Sequence, residues 1–194
     1  MAGSDATGAA GDFSEPGDIA VRELTATHAR TVGAWRYGGA WAVYDGRETQ
    51  LISAELGYHA IVETASGRFL GYFCLGAEAR VPGLDEEAGV LDVGVGLDPV
   101  IVGKGRGAAI LSHVLEWVAA RTEAGELRAV VQAWNERSLR LCRRLGFRAT
   151  RHHSVRETEY VVLRRPLRPA GKQSWDWPGT AASKGADASS PPNT

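Results

Sequence analysis

The chain has 194 residues, of which 44% are hydrophobic and 23% are charged, and its formal net charge at pH 7 is −1. This length suits one domain with a sizeable core, and the near-neutral charge gives no reason to expect nucleic acid or a membrane as a partner. No apolar run approaches the roughly 20 residues that a membrane helix needs, and residues 1–18 lack the features of a secretory signal. The cysteines, Cys74 and Cys142, match no metal or redox spacing. We therefore expect a cytoplasmic protein with reduced thiols and no metal.

Composition divides the chain into a central domain, residues 18–168, and two tails. Residues 1–17 and 169–194 are rich in small and polar residues, so they bury too little apolar surface to offset the entropy of ordering. We expect the first to be disordered and the second to be flexible. In the second tail, Trp175 and Trp177 are either docked on the domain or exposed.

Hydrophobic periodicity predicts the elements of the domain in chain order. Alternation predicts a strand at 19–24, and Thr25 or Thr27 then caps a helix that runs to about residue 35. A hairpin around Ser66 and Gly67 joins strands at 59–64 and 69–78. There follow a strand at 88–97, an amphipathic helix at 105–122, a strand at 127–134, a helix at 135–145 that Gly146 ends, and a strand at 159–163. This order predicts an α+β domain.

A loop with three alternating glycines, Gly103, Gly105 and Gly107, connects the strand at 88–97 to its helix. Glycines let the backbone turn sharply and leave its amides accessible. The first amides of a helix have no intrahelical partner and lie at the positive end of its dipole, so they bind phosphate well. Lys104 and Arg106 add positive charge, and the loop therefore predicts a phosphate site.

Two common phosphate-binding designs fit this loop poorly. A nucleoside triphosphate loop requires Ser or Thr after Gly-Lys, whereas Gly105 follows Lys104. A dinucleotide fingerprint is formally present, but the next strand ends at Trp134 and Asn135 instead of at an acidic residue for the ribose. A plain turn would explain one or two glycines, but not three glycines with two cations.

A third design fits better, because residues 92–147 resemble the GCN5-related N-acetyltransferase (GNAT) superfamily. Gly105 and Gly107 match the family's Gln/Arg-x-x-Gly-x-Gly/Ala loop, in which Val102 replaces the Gln or Arg. A second family motif follows at the expected distance, as Asn135, Ser138, Leu141, Gly146 and Phe147, with Cys142 in the position of a tyrosine.

The resemblance implies a mixed central sheet, mostly antiparallel, with flanking helices and a splayed strand pair that binds acetyl-CoA. The backbone of Val95, Gly96 and Leu97 would pair with the pantetheine arm. The pyrophosphate would lie on the loop formed by Val102, Gly103, Lys104, Gly105, Arg106, Gly107 and Ala108. Asn135 and Ser138 would contact the coenzyme, although Asn135 is equally a helix cap.

Acetyl transfer to an amine needs a base, and Asp92 is the candidate, since several family members carry their base in this strand. Its alternative role is a solvated or salt-bridged strand residue. Cys142 is either the acid that protonates the leaving thiolate or a small buried residue that packs on the core, which we favour. The family's acceptor pocket would correspond to Trp35, Tyr37, Trp41 and Tyr44, whose rings suit a cation or an apolar group.

The sequence thus predicts an N-acetyltransferase that moves acetyl from acetyl-CoA to a primary amine by direct attack in a ternary complex. The amine belongs to a small molecule or to a peptide, and a homodimer is the assembly that we consider. Acidic residues are not concentrated in residues 35–56, which disfavours polycations. The alternative is a non-catalytic module that binds acyl-CoA.

Overall fold

The computed structural model describes residues 18–46 and 52–167. The two predicted tails, with Trp175 and Trp177, lie outside the described residues. One sheet of seven strands runs through the domain in the order β1-β2-β3-β4-β5-β7-β6. Its strands are β1 (Ile19–Glu23), β2 (Tyr58–Glu63), β3 (Phe69–Leu75), β4 (Val90–Leu97), β5 (Glu126–Gln132), β6 (Arg148–Val155) and β7 (Thr158–Pro166). The helices are α1 (Ala26–Ala34), α2 (Gly107–Ala119) and α3 (Glu136–Arg144), with 3₁₀ turns at Gly39–Tyr44, Ala54–Leu56 and Gly76–Ala79.

Strands β1 to β4 pair antiparallel, each with the next. Of the two caps predicted from the sequence, Thr25 or Thr27, the structure shows Thr25, which caps α1 through a reciprocal pair of hydrogen bonds with His28. The predicted hairpin between β2 and β3 is also confirmed, with Gly67 in the left-handed region at φ 67°. Strand β3 is shorter than predicted, because the chain turns into a 3₁₀ helix at Gly76.

Strands β4 and β5 are parallel neighbours that share only three residue pairs. These pairs join Val90, Leu91 and Asp92 to Glu126, Leu127 and Arg128, respectively. Beyond them β4 continues to Leu97 and β5 to Gln132 without pairing to each other. The predicted splay is therefore confirmed, and it leaves a gap inside the sheet where the two strands diverge.

Strand β7 pairs antiparallel with β5 on one side and with β6 on the other. The sequence pattern did not predict β6, because its residues are mostly exposed and are rich in arginine and histidine. Only one edge of β6 is paired in the sheet, and its formation depends on the ladder with β7 instead of on an apolar face.

The core lies between the sheet and the helices. The predicted inner face of α2 is buried, as Ile110, Leu111, Val114, Leu115 and Val118. At the end of α3 the amides of Gly146 and Phe147 bond to the carbonyls of Arg143 and Cys142, and Gly146 has φ 86°. This is the glycine stop that the sequence predicted. No helix in the described part of the chain is long and apolar enough to cross a membrane.

Candidate active site

A cavity of about 1070 Å³ occupies the gap between the diverging ends of β4 and β5. One wall is β4 from Val93 to Leu97, the opposite wall is Ala129 to Val131 of β5, and α2 and α3 close its floor. Its volume lies at the upper end of the range for pockets that bind small molecules or cofactors. Most of the predicted site residues line it: Trp35, Tyr37, Trp41, Tyr44, Val95, Gly96, Leu97, Val102, Gly103, Gly105, Gly107, Ala108, Asn135, Ser138 and Cys142.

The glycine loop forms one end of the cavity. Gly103 and Gly105 have φ values of 83° and 80°, and a side chain there would be strained although nothing crowds it. The first hydrogen bond of the helix joins the Ile110 amide to the Arg106 carbonyl at 3.1 Å. The amides of Gly107 and Ala108 therefore precede the helical ladder, and they are available to an anion.

The two cations of the loop are not part of the cavity wall. The guanidinium of Arg106 forms an ion pair with Glu63 at 3.3 Å, and its side chain is only 9% exposed. Lys104 is likewise absent from the residues that line the cavity. The ion pair with Glu63 engages Arg106, whereas Lys104 is exposed, and a role for these side chains at the phosphate stays a prediction. The amides of the loop are the groups that the geometry makes available.

Residues 37–45, which we call the aromatic strap, place the rings of Tyr37, Trp41 and Tyr44 across the mouth of the gap. The Tyr37 hydroxyl donates to the Leu97 carbonyl at the end of β4, at 2.8 Å. On the other side, Trp41 and Tyr44 contact Trp134 with ring centroids 6.1 Å and 5.9 Å apart. Burial raises the pKa values of Tyr37 and Tyr44, so both phenols are neutral at physiological pH.

Trp35 differs from the other predicted pocket residues, because it is only 7% exposed. Its ring stacks on Phe69 and on Tyr72, with centroids 5.7 Å and 5.9 Å away. It reaches the cavity as part of the inner wall. Its main contacts are those of a core residue, and the strap supplies the accessible rings.

Asn135 joins the strap to α3. Its Oδ1 accepts from the Ser138 amide at 3.1 Å, which is a helix cap, and from the Trp41 indole at 3.3 Å. Its Nδ2 donates to the Tyr44 hydroxyl at 3.2 Å. The structure thus shows the capping alternative for Asn135, with the remaining hydrogen bonds made to the strap.

Asp92 lies in a buried ion cluster at the point where β4 and β5 separate. It is 1% exposed, and its two oxygens accept from Arg128 at 2.6 Å and 2.9 Å. Arg80 donates to it as well, at 2.9 Å. Asp92 does not line the cavity. Asp92 is therefore the salt-bridged strand residue that was the alternative to a base. A carboxylate with both oxygens bound to guanidinium groups accepts another proton poorly, and this argues against Asp92 as the base.

Cys142 lines the cavity and packs against the core. Burial raises the pKa of its thiol to about 11, although neighbouring Arg143 acts in the opposite direction. A thiol that holds its proton more firmly than an ordinary cysteine, whose pKa is about 8.5, is a poor donor to a coenzyme thiolate. The position of Cys142 favours the predicted packing role.

Four residues that sequence reasoning did not assign also belong to this region. Arg128 is 2% exposed, and only the register of β5 against β4 shows that it lies opposite Asp92. Trp134 stacks with the strap, and Arg137 lies with its Cζ 4.2 Å from the centre of the Trp41 ring. Asp45 is the one carboxylate among the described residues of the wall, and its Oδ1 accepts from the Tyr37 amide at 2.8 Å. Nothing in the local sequence pattern distinguishes these four residues from surface charges or rings.

In residues 18–46 and 52–167 no group of three His, Cys, Asp or Glu side chains is placed to hold a metal.

Solved structures share this architecture. A GNAT acetyltransferase from Bacillus anthracis has a TM-score of 0.60 and 11% identity, over 77% of this chain and 95% of that chain. The aminoglycoside acetyltransferase AAC(6')-Ib, in complex with coenzyme A, has a TM-score of 0.60 and 17% identity over the same shares. A ribosomal-protein-S5-alanine acetyltransferase from Vibrio fischeri has a TM-score of 0.52 and 16% identity, over 77% and 93%. No curated protein matches this sequence.

The family model for the acetyltransferase (GNAT) domain matches residues 18–148, which is most of the described domain. The match covers the splayed strands, the glycine loop and the Asn135 cap, so it agrees with the geometry of the cavity. The chain therefore belongs to the GNAT acetyltransferase family, and it is an acetyl-CoA-dependent acyltransferase.

Proposed function

We propose that this protein is an N-acetyltransferase that transfers the acetyl group of acetyl-CoA to a primary amine by direct attack in a ternary complex. The observation that carries this proposal is the position of the cavity. It extends from the free amides of the glycine loop, along the unpaired edge of β4, to the aromatic strap. The phosphates of the coenzyme and the acceptor amine would therefore bind at opposite ends of one continuous cavity.

The residues of this chain fit the coenzyme in three respects. The amides of Gly107 and Ala108 meet the pyrophosphate at the start of α2. The backbone of Val95 to Leu97 has no strand partner on the β5 side and supports the amides of the pantetheine arm, with the Leu97 carbonyl shared with the Tyr37 hydroxyl. Gly96 leaves room for the Tyr72 ring in this wall of the cavity, since a Cβ at Gly96 would lie 2.5 Å from that ring.

The acceptor amine must lose a proton before or during its attack on the acetyl carbonyl. Asp92 is engaged by two arginines, so we assign this role to Asp45, acting directly or through a water molecule. Asp45 is held by the Tyr37 amide and lies at the strap end of the cavity. The amine nitrogen gains the bond to the acetyl carbon, the carbon–sulfur bond breaks, and the coenzyme leaves as its thiol after taking up a proton from solvent.

Relatives of known specificity support an amine acceptor. AAC(6')-Ib has been solved with coenzyme A and kanamycin, and also with coenzyme A and ribostamycin. Another neighbour is named for acetylation of an alanine of ribosomal protein S5. These names cover a small molecule and a protein, so the family fold accommodates both kinds of amine.

The test is release of free thiol from acetyl-CoA in the presence of a panel of amines, with the N-acetyl product identified by mass spectrometry. We expect release with at least one amine class and none without an amine. Asp45→Asn should lower kcat by about 10²- to 10⁴-fold, which is the usual contribution of a positioned base. Tight binding of acetyl-CoA without turnover on any amine would contradict the proposal and favour a module that only binds acyl-CoA.

A further inference from the structure

Arg137 is a cation of the cavity wall to which the proposed reaction gives no role. It lies on the first turn of α3, half-buried, with its guanidinium over the Trp41 ring at 4.2 Å. Within the described part of the chain, it forms no ion pair or hydrogen bond with a carboxylate. By contrast, its neighbour Arg143 pairs with Glu136 at 3.9 Å and is 57% exposed. Stacking fixes Arg137 in place while the edge of its guanidinium stays available to a ligand.

The course of α3 separates Arg137 from the phosphate end of the cavity. One turn further along, Leu141 packs against the start of α2, with its Cδ2 3.3 Å from where a Cβ of Gly107 would lie. The stacking partner of Arg137, Trp41, belongs to the aromatic strap instead. Arg137 is thus directed to the acceptor end of the cavity, and the coenzyme phosphates belong to the loop end.

The acceptor end therefore offers two opposite charges with aromatic rings beside them. Asp45 is its carboxylate and Arg137 is its guanidinium, and the rings of Trp41 and Tyr44 each contact Trp134. An amine, a carboxylate and an apolar side chain on one small molecule would match this set. We infer that the acceptor is a free α-amino acid with an apolar or aromatic side chain, whose carboxylate Arg137 binds. This inference rests on the proposed acetyl transfer and specifies its substrate class.

Two physical consequences agree with this assignment. A guanidinium binds a carboxylate through paired, charge-assisted hydrogen bonds, which fix the orientation of the amine. A nearby cation also lowers the pKa of the bound amine and increases its reactive neutral fraction. Arg137 lines the acceptor end of the wall, so a polycation such as an aminoglycoside meets like charge there.

The experiment compares acceptors that differ only in the carboxylate: phenylalanine against phenethylamine, and leucine against isopentylamine. For the wild-type protein we expect kcat/KM to favour the amino acid by about 10- to 100-fold, the range expected for a hydrogen-bonded charge. Arg137→Gln should bring this ratio close to one and leave the KM for acetyl-CoA unchanged. Arg143→Gln, on the same helix, is the matched control and should behave as wild type.

Equal rates for both members of each pair in the wild-type protein would overturn the inference, and so would an equal loss on both in Arg137→Gln. A raised KM for acetyl-CoA in that variant with an intact preference would make Arg137 a coenzyme contact and would also overturn it. If no amine is acetylated, the proposed function fails instead. Calorimetric titration of the protein with phenylalanine in the presence of coenzyme A then decides the inference: binding that Arg137→Gln abolishes supports it, and absence of binding in the wild type rejects it.

Discussion

At the scale of single residues, Asp92 and Arg128 form the most buried charged contact among the described residues, with 1% and 2% exposure. Asp92→Asn leaves the guanidinium of Arg128 with only the partly exposed Glu87, 3.7 Å away, as a counter-charge. Breaking a buried pair in this way typically costs about 3–5 kcal/mol. We expect a loss of this size in the free energy of unfolding, measured with urea. The folded protein should keep the wild-type shape of its pH–rate profile.

The matched control for this substitution is Glu86→Gln. Glu86 contacts Arg80 of the same cluster at 3.7 Å, but its side chain is 84% exposed. Exposed pairs contribute between 0 and about 1 kcal/mol, so this variant should be close to wild type. A fall of kcat by 100-fold or more in Asp92→Asn at unchanged stability would show that Asp92 acts in the chemistry after all.

Cys142 gives a prediction on pH. Its thiol has a pKa raised by burial to about 11, whereas a thiol in the unfolded chain ionises near 8.5. Above that lower value the unfolded state loses the proton and the folded state keeps it, so the unfolding free energy falls as pH rises from about 9 to about 11. Cys142→Ala should show a smaller fall over this range in urea unfolding at pH 8 and pH 10.5. An unchanged fall in the variant would mean that the thiol does not contribute.

The residues of the site differ in how far the sequence could identify them. Gly105 and Asn135 stand in short motifs, because a loop or a helix end is specified by neighbours in sequence. The pairing of Asp92 with Arg128 joins residues 36 positions apart, and only the register of two strands brings them together. The strand position of Asp92 therefore suggested a catalytic base, whereas its contact with Arg128 could not be read from any local pattern.

At the scale of elements, the glycine loop is the part whose conformation matters most for the coenzyme. Gly105 has φ 80° and open space where a side chain would be, so Gly105→Ala adds backbone strain of about 1–2 kcal/mol without a clash. We expect the loop to relax by moving its amides, and the Kd for coenzyme A to rise by about tenfold in calorimetry, as that energy implies.

The control for the loop is Gly76→Ala. Gly76 has φ 66° and equally open space, but it lies after β3 and does not line the cavity. This variant carries a similar strain and should lose similar stability while binding coenzyme A normally. If both variants weaken binding equally, the effect comes from general destabilisation and not from the loop.

Among the elements, β6 and the 3₁₀ turn of the strap escaped prediction for different physical reasons. Strand β6 has an exposed, polar sequence, and long-range pairing with β7 determines its conformation. The turn at Gly39–Tyr44 is anchored by the contacts of Trp41 and Tyr44 with Asn135, more than 90 residues away. Most predicted strands and helices bury apolar residues, and in α2 these recur at helical spacing, which the sequence displays directly.

At the scale of the molecule, binding of the coenzyme should stabilise the whole domain. A ligand at 100 times its Kd adds about 2.7 kcal/mol to the unfolding free energy. For a domain of this size, that corresponds to an increase in Tm of about 5–10 °C. We expect coenzyme A to produce this shift in differential scanning fluorimetry. NAD should produce none, and a shift with NAD alone would revive the dinucleotide interpretation of the glycine loop.

The three residue pairs that join β4 to β5, which we call the seam, have a consequence for the dynamics of the protein. It divides the sheet into a four-stranded part, β1 to β4, and a three-stranded part, β5 to β7, connected by three residue pairs. In the absence of ligand the two parts have the means to open independently, and amide hydrogen exchange would then report two levels of protection. A coenzyme bound in the gap lies between walls from both parts, so it should merge the two levels into one. The substrate would then act as a structural crosslink, and each turnover would briefly return the enzyme to a two-part state.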